Sequence, residues 1–210
     1  LKANSGLSLN HRNKNVNLFG SYNFSRRKEF NHLDIDREFY SDELFTGAYD
    51  QDNNFDFRFS SHNIRLGMDY YLTPKTVVGV VTNGSLFGIR RNTENSSAVI
   101  NEQHVQDATF LTDGFSKANR NNGNVNLNFK HTFDSTGTEI TADLDYARFL
   151  NADLQNYHTR YYDLQQNPTR NPYLLFGDLD GNLDIRSAKI DYTRKLRGGT
   201  TLELGIKSSL

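Results

Sequence analysis

The sequence predicts an all-β chain, an antiparallel up-and-down meander of about eight long strands. Three observations predict it. Apolar and polar residues alternate one by one over long stretches, which puts them on opposite faces of a pleated strand. Compact polar turns recur at Asn13-Lys14-Asn15, Thr73-Pro74-Lys75, Asp134-Ser135-Thr136-Gly137 and Arg197-Gly198-Gly199, a spacing of roughly 60 residues, room for one hairpin's two strands. No segment carries a sustained 3.6-residue apolar stripe, and Pro74, Pro168 and Pro172 all lie outside the alternating tracts.

The elements follow in order. An N-terminal strand is expected over residues 1–12. In the next, Val16, Leu18, Gly20, Tyr22 and Phe24 oppose Asn17, Phe19, Ser21, Asn23 and Ser25, with Phe19 the single break in the pattern. Ile64, Leu66, Met68, Tyr70 and Leu72 oppose Asn63, Arg65, Gly67, Asp69 and Tyr71. Residues 76–87 are ambiguous, because both faces carry Val. The split returns with Val125, Leu127, Phe129, His131 and Phe133 against Asn124, Asn126, Asn128, Lys130 and Thr132, and with Ile140, Ala142, Leu144 and Tyr146 against Glu139, Thr141, Asp143 and Asp145. Two last strands set Ala188, Ile190, Tyr192 and Leu196 against Lys189, Asp191, Thr193 and Lys195, and Leu202, Leu204 and Ile206 against Glu203, Gly205 and Lys207. Between the tight turns, the Asn-, Asp-, Ser- and Gly-rich residues 41–57, 89–122 and 151–181 read as long irregular loops.

Composition narrows what such a sheet is for. The chain is 36% hydrophobic with a mean hydropathy of -0.71, yet it holds 15 Phe and 11 Tyr and neither Trp nor Cys. That is little aliphatic material for a two-layer core but enough for one sheet with a greasy and a wet face. Basic and acidic residues number 24 and 25 and are spread throughout, so there is no electrostatic footprint for nucleic acid. Without Cys there are no disulfides and no thiolate metal ligands. No apolar run approaches the ~20 residues of a transmembrane helix, and residues 1–12 lack the apolar stretch of a signal peptide.

These features favour the wall of a transmembrane β-barrel, because the polar face is Asn, Ser, Thr and charge, while Tyr22, Phe24, Tyr70, Phe129, Phe133 and Tyr192 cluster near the ends of the apolar tracts, where interfacial girdles lie. With tight turns inside and long loops outside, the first strand descends from the outer side and the last ascends to it, so residues 1–210 read as a single barrel segment internal to a wider barrel. The alternative of a soluble β-sandwich puts the same aromatics in a core.

Four stretches resemble the outer-membrane β-barrel family common in Bacteroidetes and related to TonB-dependent receptors: residues 6–24 (GLSLNHRNKNVNLFGSYNF), 37–40 (REFY), 62–84 (HNIRLGMDYYLTPKTVVGVVTNG) and 124–149 (NVNLNFKHTFDSTGTEITADLDYARF). The resemblance implies a large barrel, about 22 strands if TonB-dependent, and uptake of a nutrient across the Gram-negative outer membrane. It implies membrane lipid, the remaining strands and a plug as partners, and TonB through regions this chain does not contain. Self-association through open sheet edges is a further expectation. A barrel presenting surface loops for adhesion or assembly is the other reading.

No catalytic or metal constellation stands out, so neither an enzyme nor a cofactor is expected. His11, His32, His62, His104, His131 and His158 are scattered singly. Asp50, Asp52, Asn54 and Asp56 have the alternate spacing of a Ca²⁺ loop but lack its glycine and closing glutamate. Asp178, Asp180 and Asp184 read as a polar turn around Gly181. The aromatic stretch 157–176 reads as a loop whose Tyr157, Tyr161, Tyr162, Tyr173 and Phe176 suit sugars or peptides. If the sheet encloses a lumen, the alternation aims Arg65, Asp69, Lys130, Asp143, Asp145, Lys189, Asp191, Glu203 and Lys207 into it, many of them as cross-strand ladder partners.

Overall fold

The computed structural model describes residues 1–210, the side chain of Arg197 excepted. Eight strands run in chain order: β1 Lys2–Asn13, β2 Val16–Ser41, β3 Leu44–Thr73, β4 Thr76–Ile100, β5 Gln106–Thr132, β6 Glu139–Asp163, β7 Tyr173–Lys195 and β8 Thr201–Ser209. They form one antiparallel sheet in the order β1-β2-β3-β4-β5-β6-β7-β8, each strand paired only with its neighbours in sequence. The outer edges of β1 and β8 are unpaired among the described residues.

All four expected tight turns are present, at residues 14–15, 74–75, 133–138 and 196–200, the last holding a short 3₁₀ turn at Arg197–Gly199. The three expected long loops are not. Residues 41–57, 89–122 and 151–181 are strand over most of their length, and the chain reverses through only Asp42-Glu43, residues 101–105 and residues 164–172. Asp42 and Glu43 both adopt positive φ, 48° and 68°, as a two-residue hairpin of right-handed twist requires. The sequence offers none of the usual Asn-Gly signal there, which is why the turn was hidden. β3, at 30 residues, is about 100 Å long at ~3.3 Å per residue. A membrane needs only ~9–11 such residues, so the sheet rises well beyond one.

In an antiparallel ladder, directly opposed residues share a face, so the register assigns every side chain. One rung reads Asn17, Asp69, Gly79, Asn128, Asp143, Lys189, Lys207. Its neighbour on the other face reads Leu18, Met68, Val80, Leu127, Leu144, Ala188. The register also resolves β4: Val78 and Val80 oppose Tyr70 and Met68 on the apolar face, while Val77 and Val81 lie on the polar one. Among the described residues nothing covers the apolar face: Ile64, Leu66, Met68, Val125, Leu127 and Phe129 remain 37–50% exposed on a single-layered sheet. That removes the sandwich alternative, which needs these residues packed in a dry core. The polar face is the more covered one, with Gly79, Ser97, Ser116 and Ala118 buried on it.

Phe19, the break in the pattern, lies on the polar face directly opposite Gly67, and its ring occupies the space where a Cβ on Gly67 would be. Arg65 stands over the same ring, 5.7 Å from its centroid. The aromatic covers a bare backbone and is held by a cation, so it needs no apolar face.

The upper limit of the apolar belt is oblique to the rungs. Phe24 on β2 and Ala188 on β7 are the last apolar residues of their face before a basic one, Arg26 and Arg186. Phe24 lies on the rung of Asn121, and Ala188 on that of Leu127. The limit thus falls by three rungs of that face, about 20 Å, over five strand spacings, about 24 Å, a tilt of ~40° that matches transmembrane barrel strands.

The 133–138 turn is pinned by Asp134, whose Oδ1 accepts from the Thr136 hydroxyl at 2.6 Å and from the backbone N–H groups of Thr136 and Thr138 at 2.9 and 3.2 Å. The Thr136 hydroxyl above all, then the Thr138 amide, hold the carboxyl down to about 2. A depressed folded-state pKa stabilises above the unfolded value of 3.8, and that stabilisation disappears as pH falls through about 2. Asp134→Ala is therefore expected to lower the thermal midpoint at pH 5–7, with the gap to the unsubstituted protein closing toward pH 2. At mid-belt, Leu66→Lys is expected to cost about 2–4 kcal/mol in urea-dependent folding into bilayers. Arg65→Asp, one residue away on the polar face, is expected to cost much less.

Candidate functional site

The nine charged residues singled out above all lie on the polar face, and most join a hydrogen-bonded ladder. Asn17 donates to Asp69 at 3.1 Å, and Lys130 pairs with Glu139 at 2.6 Å. Asn126 bridges β5 to β6, donating to Asp145 at 2.8 Å and to Asp143 at 3.3 Å, and the Ser187 hydroxyl adds a bond to Asp145 at 3.0 Å. Lys189 pairs with Asp191 at 2.6 Å. Glu203 and Lys207 make no side-chain hydrogen bond or ion pair among the described residues. The two signs alternate across this surface, so no single-sign field is built that would select one ion charge.

Above the belt the polarity of the two faces exchanges on β3 and β7. On the formerly apolar face β3 now carries Asp50, Asp52, Asn54, Asp56 and Arg58, and β7 carries Asp178, Asp180 and Asp184. On the opposite face β3 carries Tyr49, Phe55, Phe57 and Phe59, and β7 carries Leu179, Leu183 and Ile185. On the neighbouring strands the faces stay mixed, since Phe57 lies in line with Arg91, Ser116 and Gln155, and Asp56 with Phe30 and Asn92.

Three expectations change accordingly. The acidic run from Asp50 to Asp56 is a strand face, not a loop. Asp56 is engaged by Lys28 at 3.2 Å and by Arg58 at 3.8 Å, and Asp52 accepts from Asn54 at 2.7 Å. His32 reaches Asp34 at 3.1 Å and Asn54 at 2.9 Å, and the Asn54 amide oxygen, followed by Asp34, raises it above the usual imidazole value. Asp178, Asp180 and Asp184 are strand residues of β7 rather than a turn, with Asp184 accepting from Tyr146 at 2.9 Å. The aromatic stretch is no loop either. Tyr157, Tyr161 and Tyr162 belong to β6, Tyr173 and Phe176 to β7, and the chain is irregular only over 164–172. Strand geometry also separates the five: Tyr157, Tyr161 and Tyr173 share the inner face, whereas Tyr162 and Phe176 point the other way.

Tyr157 and Tyr161 sit within a surface that composition alone did not reveal. Tyr161 meets Phe110 with ring centroids 6.2 Å apart, Phe110 meets Tyr49 edge-on at 5.5 Å, and Tyr49 meets Phe39 at 5.0 Å. Arg170, from the 164–172 connection, stacks over Tyr161 at 3.3 Å. Beside these rings runs an amide and hydroxyl chain: Gln51 donates to Ser97 at 3.2 Å, Ser97 to Asn95 at 2.9 Å, and Asn95 to Asn53 at 2.9 Å. Lower on the same face, Arg91 donates to the Tyr157 hydroxyl at 2.6 Å, while its buried Nε has no partner among the described residues. Asp153 likewise keeps one buried carboxylate oxygen unpartnered. Buried groups with unmet hydrogen-bonding capacity are places where a polar ligand gains most. The available sequence signal was the alternation itself, which continues past residue 57 with inverted polarity: Phe55, Phe57 and Phe59 against Asn54, Asp56 and Arg58.

Gly114 is required here. It lies opposite Tyr157, whose ring would stand 2.6 Å from a Cβ at that position. Gly114→Val is expected to displace the ring and cost about 1–3 kcal/mol in unfolding free energy. Adding Tyr157→Ala is expected to restore part of that loss, a coupling readable in a double-mutant cycle.

Residues 131–210, from the end of β5 through β8, match the model of a family described as outer membrane protein beta-barrel family. No curated protein matches the chain. With the tilted, single-layered, eight-stranded meander, this match places the chain in the outer membrane as part of a transmembrane β-barrel.

Proposed function

We propose that the sheet is wall of a receptor that admits a nutrient across the outer membrane by TonB-dependent uptake, with the inner face above the membrane as its ligand-contacting surface. The observation that carries this reading is the cluster of inner-face aromatics above the belt, Tyr49, Phe110 and Tyr161, beside an amide and hydroxyl chain. Below it, lipid-facing Leu66 and Leu127 back a polar face on which Arg65, Asp69, Lys130, Asp143, Asp145, Lys189, Asp191, Glu203 and Lys207 line the lumen or hold a plug. Above the belt, Asp50, Asp52, Asp56, Asp178, Asp180 and Asp184 stand on the outside of β3 and β7, while Tyr49, Phe110, Tyr157 and Tyr161 face inward beside amides and the groups of Arg91 and Asp153 that have no partner among the described residues. Aromatic faces flanked by amides suit sugars and peptides. In hydrocarbon the free edges of β1 and β8 have to be paired, and further strands of a wider barrel supply those partners.

The adhesion alternative rests on long surface loops. The connections at the far end of the sheet, from Asp42-Glu43 to residues 164–172, give such a role little loop to present.

The test is uptake by cells carrying the protein of fluorescent oligosaccharides and peptides, with and without a protonophore. Uptake that stops with the protonophore and falls about tenfold or more in Tyr157→Ala/Tyr161→Ala is expected, the loss of two aromatic contacts. Uptake indifferent to the protonophore would make the barrel a passive pore, and no uptake of either class above that of cells lacking the protein would remove the transport reading.

A further inference from the structure

On the outward face just above the belt, four basic residues stand directly opposite one another on consecutive strands: Lys28 opposes Arg58, Arg58 opposes Arg90, and Arg90 opposes Lys117. Like charges in direct cross-strand pairs are destabilising unless something neutralises them. The protein supplies Asp56 to Lys28 and Arg58, but Arg90, Lys117 and the adjacent Arg26 have no carboxylate partner among the described residues. Below this row the next rung of the same face is small, Ser60 and Gly88 between Arg26 and Asn119. The result is a depression of about 360 Å³ lined by Arg26, Arg58, Arg90 and Lys117, with Phe24 at its lower rim. Across the sheet the same sign recurs: on each of β2 to β7, the first charged outward residue above the belt is basic, namely Arg26, Arg58, Arg90, Lys117, Arg148 and Arg186. Acids such as Asp34 and Asp52 come only higher up.

We propose that this depression is a binding site for a phosphate group of an outer-leaflet glycolipid, with the lipid's acyl chains lying on Phe24, Leu86 and Ile64 beneath it. Three observations select this ligand. The side chains face outward, away from the lumen, so a solute passing through the barrel does not meet them. The guanidinium and ammonium donors are matched to phosphate oxygens, and arginine forks bind them bidentately. The depression opens onto the apolar belt at the height where lipid headgroups lie, so an anion carrying hydrocarbon satisfies both surfaces, as basic clusters at membrane boundaries do.

The inference rests on reading this face as lipid-facing, and the experiment separates the two. Protein extracted from outer membranes is incubated in detergent with phosphorylated lipid A, with its dephosphorylated counterpart, or with inorganic phosphate, and bound ligand is counted by native mass spectrometry. Retention of phosphorylated lipid A is expected, falling about tenfold in Arg58→Gln/Arg90→Gln/Lys117→Gln, as loss of charge-assisted hydrogen bonds implies. Arg90→Gln alone, which breaks no ion pair of the protein, is expected to give a smaller loss in the same direction and serves if the triple variant fails to fold. Equal retention by unsubstituted and substituted protein, or equal retention of the dephosphorylated lipid, would overturn the proposal. So would inorganic phosphate displacing the lipid, which would mark a free-anion site. A spin label at Leu66 reports the face independently: lipid contact at Leu66 without glycolipid retention defeats only the glycolipid site, whereas water contact there defeats the membrane reading itself.

Discussion

The inter-strand hydrogen-bond ladder is the constraint on which everything else in this sheet depends. Because it runs unbroken in register from β1 to β8, with small shifts near Phe39, Tyr71 and Val99, each residue's face is fixed by its opposite number. A slip of one residue would exchange every side chain between lipid and lumen. The same ladder satisfies the backbone polar groups that hydrocarbon leaves without partners.

With faces fixed, the composition becomes intelligible. A chain that is only 36% hydrophobic can span a membrane because only one face, over a short height, has to be apolar. The rest of each long strand extends beyond that height. Two groups of aromatics follow this division. Tyr22, Phe24 and Tyr146 belong to the outward face at the belt's upper limit, where Tyr22 also hydrogen-bonds His62 at 2.8 Å. Tyr49, Phe110, Tyr157 and Tyr161 belong to the inner face above it. The basic residues that follow the belt on six successive strands sit between these regions and mark the boundary.

The alternation around Leu66, Leu127 and Ile190 and the four tight turns were legible in the sequence because both signals are local: a period of two, and turn residues at the reversals. The far half of the strands was not. There Asn, Asp and Ser look like loop composition, and on β3 and β7 the polarity exchange cancels the expected apolar face. The period of two nevertheless persists through Asp52, Asn54 and Asp56. Asp42-Glu43 carries no conventional hairpin signal, so a two-residue reversal looks in the sequence like part of a long loop. Consequently the chemistry of Tyr157 and Tyr161 is legible in the sequence but the strand that carries them is not, and strand parity sends Tyr162 and Phe176 to the other face. Arg91, Ser97 and Phe110 passed unnoticed because their partners lie on neighbouring strands, which no single stretch of sequence reveals. The resemblance quoted over residues 124–149 overlaps the segment that the family model matches, whereas those over residues 6–24, 37–40 and 62–84 stand on their own residues.

The most direct measurement is a nitroxide scan along β3, from residue 50 to residue 72, of protein in bilayers, comparing collision with oxygen against collision with a water-soluble nickel complex. Labels replacing Ile64, Leu66 and Met68 should favour oxygen and those replacing Asn63, Arg65 and Gly67 should not, with the outward positions changing to nickel access from Arg58 to Asp50. Equal behaviour at odd and even positions, or Ile64, Leu66 and Met68 shielded from both reagents, would contradict a lipid-facing wall.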